Sequence, residues 1–227
     1  MIHQLTDKKS KFILLVIFFL FLNSINFKNK NFIFGNISEI NVVGLDNQLN
    51  DAIKDKLKYL ENEKILSINK KILFDQISNY KYIENFKVLK LYPDNLLLTL
   101  KQTKFLAFTL KKDKKYLIGS NGKLIDYELF SETKNLPVIY GNFNPADFIT
   151  LKEKINNSPI EFNNIKSFFF YPSLRWDIQN NNNITIKLPN KNIDNALILA
   201  KKVIDNKNIE GSTIDLRINN QIILSNE

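Results

Sequence analysis

Cysteine is absent from these 227 residues, and histidine occurs once, as His3 near the N-terminus. Without cysteine there are no disulfides, no thiol nucleophile and no cysteine-held zinc or iron–sulfur cluster. Without imidazole in the body of the chain, Ser-His-Asp and Cys-His catalysis and histidine-rich metal sites have no donor. The six glycines form neither a P-loop nor a G-x-G-x-x-G turn, so nucleotide binding lacks its usual cradle. Arginine is nearly missing as well: lysine supplies 30 of the 32 basic residues, and only Arg175 and Arg217 are arginine. These gaps leave no catalytic, cofactor-binding or metal-binding residue to name.

The chain is rich in asparagine (33 residues) and lysine, a bias that fits A/T-rich codons and inflates the formal net charge of +9. The lysines are spread among 23 acidic residues, which reads as a solvated surface rather than a phosphate-binding stripe. Hydrophobic residues at 44% are enough for a packed core. S-x-x-K matches such as those at residues 67–70 and 120–123 lack the S-D-N and K-T-G partners of serine–lysine enzymes, and the latter sits in a turn.

The long apolar run is at the N-terminus. Residues 1–11 carry Lys8, Lys9 and Lys11, and residues 12–22 read FILLVIFFLFL before Lys28 and Lys30 close the segment. Residues 12–27 as a helix would reach about 24 Å of a ~30 Å hydrocarbon core, so spanning requires the flanking lysines to snorkel or the bilayer to thin. No small-residue cleavage site follows, and the first alanine is Ala52, which favours a retained signal-anchor over a removed signal peptide. The preceding lysines place the N-terminus in the cytoplasm and the bulk of the chain outside it.

After the anchor, residues 37–43 (ISEINVV) read as a strand closed by Gly44. Asn47 or Asn50 can cap a helix to about Leu60, and Asn69 a second one carrying Leu73, Ile77 and Tyr80. Strands at 86–91 and 96–101 flank a turn at 92–95, giving the order β-α-α-β-β. The rest is mostly strands: 116–120 and 123–127 around Asn121-Gly122, then 136–142, 165–171, 175–178, 184–188, 213–218 and 221–224, with helices at 145–156 and 193–204. Asparagines 180–183 read as a plain loop.

This order behind an anchor resembles the bacterial division protein family FtsQ/DivIB. The first module is similar to its POTRA domain through ISEINVVG and the spacing from Asn69 to Pro93. The second is similar to its β domain through NGKLI, LPVIYG and the run RWDI…ITIKLP…IDLR over residues 175–217. At the exit from the first module the family's Glu-x-x-Pro-x-Ala segment is reduced to Ala107 within QTKFLA. The resemblance implies an α+β chain: a cytoplasmic tail at 1–11, a transmembrane helix and juxtamembrane linker at 12–34, a POTRA domain at 35–104 and a mostly antiparallel β domain with two helices at 105–227.

It further implies a non-enzymatic scaffold of the divisome, single-pass in the bacterial inner membrane with most of the chain periplasmic, acting at the division septum. Other division components would meet the POTRA module, and the FtsB and FtsL coiled-coil proteins the end of the β domain. Contacts carried over to this chain are Arg217, Ile218, Asn220, Ile222 and Leu224, with Arg175, Trp176 and Asp215 as structural motif residues. Independently of the family, the last strand has only three residues after it and reads as a sheet edge that can accept a partner strand. Alternation turns one of its faces inward, so some of these side chains belong to the core. Both arginines fall inside the family motifs, where a planar five-donor fork suits pairing with Asp177 or Asp215, and Trp176 reads as core. The competing reading is a POTRA-bearing periplasmic factor of outer-membrane assembly or secretion; a basic binder of acidic polymers is supported by charge alone.

Overall fold

The computed structural model describes residues 8–24, 35–130, 135–206, 211–218 and 221–226. Helix α1 (Lys8–Ser24) is 17 residues long, and its side chains from Phe12 to Phe21 are exposed. Among the described residues no helix is long and apolar enough to cross a membrane.

The first module follows as β1 (Glu39–Val43), α2 (Asn47–Leu57), α3 (Lys70–Ile77), β2 (Ile83–Leu91) and β3 (Asn95–Gln102). Its sheet has the order β1-β3-β2, with β1 parallel and β2 antiparallel to β3. Parallel neighbours need a crossover, and α2 and α3 supply it on one face of the sheet. There Ile53, Leu57, Leu73 and Ile77 bury against Ile40, Leu96, Leu98 and Leu100. Asn69 caps α3 as its position predicts, its Oδ1 accepting from the Lys71 N–H at 2.8 Å. The cap of α2 is Asp46 rather than Asn47 or Asn50. Asn50 is otherwise occupied, donating to the Leu45 carbonyl at 2.9 Å and accepting its N–H at 3.2 Å. Gly44, at φ +108°, lies against the Leu100 carbonyl, where a Cβ would come within 2.0 Å of the oxygen.

The second module contains β4 (Phe105–Lys111), β5 (Lys114–Gly119), β6 (Leu124–Asp126), β7 (Val138–Tyr140), α4 (Pro145–Asn156), β8 (Ile165–Tyr171), β9 (Arg175–Asn180), β10 (Thr185–Lys187), α5 (Ile193–Asn206), β11 (Ser212–Asp215) and β12 (Ile223–Asn226). They form one nine-stranded sheet in the order β12-β11-β10-β9-β8-β7-β4-β5-β6. Five of its eight pairings are antiparallel; β4 with β7, β7 with β8 and β10 with β11 are parallel. The last two are bridged by α4 and α5, which cover one face of the sheet.

The modules share an apolar core: Leu117 and Ile125 of β5 and β6 pack with the first module's interior. Tyr82 and Phe105 meet the Phe130 ring at 5.6 and 4.8 Å, and burial pushes the Tyr82 hydroxyl up to about 12. The turn between β5 and β6 locks this contact. Asn121 Nδ2 donates to the carbonyls of Lys81 (2.9 Å) and Ile83 (3.2 Å), Lys123 Nζ to Ser78 O (3.1 Å) and Ser120 Oγ to Glu84 (2.9 Å). The hairpin at Asn121-Gly122 forms, with Gly122 at φ +73°, but as a four-residue loop rather than a two-residue one. Asn121 is spent on the joint.

Removing the Asn121 amide strips two backbone carbonyls of a donor. Asn121→Ala should therefore cost about 1–2 kcal/mol in urea unfolding. It should also hasten proteolytic cleavage between the modules near Thr103; unaltered stability and cleavage would show the joint to be held by its apolar contacts alone.

Candidate functional site

The register across the large sheet sorts its side chains into rows. Leu224, Ile214, Ile186, Ile178, Phe168 and Ile139 are successive partners from β12 to β7, and all face the helices. One residue along, Ile223, Asp215, Lys187, Asp177, Phe169 and Tyr140 form the matching row on the face without helices. Strand alternation makes the two rows obligatory companions.

β12 pairs with β11 on one side and ends the sheet on the other. Among the described residues no strand lies opposite the backbone N–H and C=O groups of its outer edge. The expected edge strand exists, but it runs over Ile223–Asn226 rather than 221–224, and its neighbour over Ser212–Asp215 rather than 213–218. The shift comes from the connection, where the Gln221 N–H bonds back to the Ile218 carbonyl at 3.2 Å and delays the strand.

The predicted contact residues fall in different places. Leu224 turns inward, half-buried against the core. Ile218 and Ile222 lie in the connection, 53% and 43% exposed. Asn220 lies outside the described residues. Ile223, 47% exposed on the outer row, was not among the predicted contacts, which took the even-numbered side chains as the outward ones, whereas the core claims Leu224. Ile218 also helps line a groove of about 290 Å³ beside β12, floored by Ala196 and Leu199 of α5 and by Leu216. No sequence signal marks this groove, which arises only when α5 crosses back over the sheet.

Both arginines pair with a carboxylate two residues away on their own strand or just beyond it. Arg175 Nε donates to Asp177 Oδ1 at 3.1 Å, and its guanidinium lies 4.3 Å from the centre of the Tyr171 ring. Asp177 is only 1% exposed, covered by neighbouring side chains, and burial pushes its carboxyl up against the opposing pull of Arg175. Arg217 grips Asp215 with its Nε at 2.8 and 2.9 Å, with a further contact from Nη2, and its backbone N–H adds 3.0 Å. These donors hold the Asp215 carboxyl below its ordinary value of 3.8, and the carboxylate in turn pushes the Arg217 guanidinium up. Trp176 is buried among Phe143, Phe148, Phe168 and Phe170. Among the described residues no group of three or more potential metal-ligating side chains occurs.

A three-stranded sheet with two helices, locked to a larger sheet that ends in a terminal strand, defines a two-module α+β protein. Residues 35–102 match the FtsQ-type POTRA domain, and residues 107–217 match the C-terminal region of cell division protein FtsQ/DivIB. The chain belongs to the FtsQ/DivIB family of bacterial cell division proteins. Among curated relatives, cell division protein FtsQ of Bradyrhizobium diazoefficiens is 24% identical over 133 residues, covering 57% of this chain and 38% of that protein. FtsQ of Rhizobium meliloti is 22% identical over 145 residues, covering 63% and 47%. The match thus spans less than half the length of these relatives. The major extracytoplasmic domain of DivIB from Geobacillus stearothermophilus aligns with 12% identity and a TM-score of 0.33, over 48% of this chain and 98% of that one, a likeness too low to bear on the fold. The second module's match is to the division family, which favours that reading over the outer-membrane assembly one.

The depressed Asp215 carboxyl stabilises the fold at pH values above 3.8, and that contribution is lost as pH falls through its lower folded value. With Arg217 partly exposed, Asp215→Asn should cost about 0.5–1 kcal/mol at pH 7. Urea midpoints of the two proteins should then converge in acid; a gap that stays constant with pH would show that the pair's charge contributes nothing.

Proposed function

We propose that the chain is a non-enzymatic scaffold of the divisome, held at the inner membrane by its N-terminal segment and working at the division septum. The open edge of β12 carries this reading: it offers main-chain hydrogen bonds to an added strand, the way extended segments are recognised at sheet edges. The partners fitting the family are membrane-anchored coiled-coil division proteins of the FtsB/FtsL kind. A partner strand beside β12 would meet Ile223 on the outer face and the groove at Ile218 on the other, with Arg217 and Asp215 flanking it. Other divisome components would use the POTRA module.

Membrane anchorage is supported by the sequence of α1, apolar on every side from Phe12 to Phe21 and led by lysines. Its 17 residues cover about 25 Å, so flanking lysines must snorkel to the interface. Anchoring confines partners to one surface and raises their effective concentration without any new contact. The tail at 1–11, the anchor and linker at 12–34, the POTRA domain at 35–104 and the β domain at 105–227 are then four parts with distinct tasks.

Deleting residues 221–227 tests the edge. A cut at 211 is less clean, because β11 supplies Ile214 and its continuation Leu216 to the core. The shorter deletion should keep the membrane association and most of the stability of the full chain while abolishing capture of the coiled-coil partner. Undiminished capture would overturn the assignment of the edge as its binding site.

A further inference from the structure

The first module has two ends with different occupants. At one end, Tyr82, Ile83 and Thr103 meet the second module. At the other, the chain arrives from α1: the Gly35 N–H bonds the Pro93 carbonyl at 3.2 Å, the Ile37 N–H the Glu63 carbonyl at 2.9 Å and the Ser38 N–H the Asp94 carbonyl at 3.0 Å. The eight residues of β3 connect the two ends over about 26 Å. Only residues 25–34 separate α1 from this arrival point, a tether of at most about 40 Å.

Three large apolar side chains stand exposed at the arrival end: Leu66 (54%), Leu91 (46%) and Tyr92 (55%). They share this end of the module from two sides: Lys90 Nζ donates to the carbonyls of Leu66 and Ile68 at 3.3 Å each on the helix side, while its neighbour Leu91 turns to the opposite face of the sheet. Neither Leu66 nor Leu91 belongs to the module's core cluster. The charges there are of both signs, Lys64 and Lys90 against Glu39, Glu61, Glu63 and Asp94, so this is no polybasic lipid-binding patch. Leucine and tyrosine side chains at the end nearest an apolar helix suit the boundary between headgroups and acyl chains, where a tyrosine ring has an apolar body and a polar tip.

We infer that this end of the POTRA module rests on the phospholipid surface, with Leu66, Leu91 and Tyr92 dipping into the interface, and that it thereby stands the β domain away from the membrane. The inference relies on the anchored reading of α1. Because the contact is apolar, it requires no anionic lipid and survives high salt.

The cysteine-free chain suits a direct test. The full chain carrying Leu66→Cys, Tyr92→Cys or, as a control in the second module, Asn156→Cys is labelled with a polarity-sensitive dye. It is then reconstituted into phosphatidylcholine vesicles with and without phosphatidylglycerol, and floated. Dye at positions 66 and 92 should shift to the blue and be quenched by spin labels near the lipid headgroups, equally in both vesicle types and at high salt, while dye at 156 stays aqueous. With dye at 92, Leu66→Glu should reduce the quenching. Floated protein whose dyes at 66 and 92 remain aqueous overturns the lipid contact alone. Protein that fails to float overturns the anchor and the contact with it. Dyes that turn apolar only in native membranes holding other division proteins assign this end to a protein partner instead.

Discussion

Register across the large sheet is the constraint on which the other features rest. Leu224, Ile214, Ile186, Ile178, Phe168 and Ile139 form one continuous apolar row across six strands. A slip of one residue anywhere in that row would send isoleucines to water and charges to the core. Burying Leu224 fixes β12 in place, and fixing β12 sends Ile223 outward beside an unpaired backbone edge. The exposed edge and its outward isoleucine are thus a consequence of core packing rather than a separate addition. The outer row can carry Asp177, Lys187 and Asp215 because no helix covers that face, and paired arginines offset the cost of the shielded carboxylates.

The joint between the modules gives that edge a defined position. A shared core and the bonds of Ser120, Asn121 and Lys123 replace what would otherwise be a flexible connection. Such stiffness holds the sheet's terminal edge in one orientation relative to the first module. The same turn gives the S-x-x-K match at Ser120 a structural place: its serine bonds the Glu84 carboxylate and its lysine the Ser78 carbonyl across the joint.

Much of this architecture is readable from residue patterns. The helix at 145–156 and the strand at 165–171 have the ends that Pro145 and Pro172 impose, and Asn69 caps α3 as its place before an apolar stripe suggests. Elsewhere local patterns mislead where a side chain serves a distant partner. Asn50 looks like a cap yet binds Leu45, and Asn121 looks like a two-residue turn yet reaches Lys81 and Ile83. The parallel pairings of β4 with β7 and β10 with β11 depend on contacts far apart in sequence, which periodicity cannot express. The edge itself was legible, since a terminal strand commonly closes a sheet, but its register was not. The bond from Gln221 to Ile218 delays the strand, and burial of Leu224 turns Ile223 outward.

Hydrogen–deuterium exchange of the full chain, with and without the proposed FtsB/FtsL-type coiled-coil protein, reads the outer strand residue by residue. If strand addition at the sheet's end is how the protein works, amides at 221–226 slow markedly on binding while those of β6, at the opposite edge, do not change. Protection confined to the POTRA module or to the helices, with the last strand exchanging as fast as before, would contradict it.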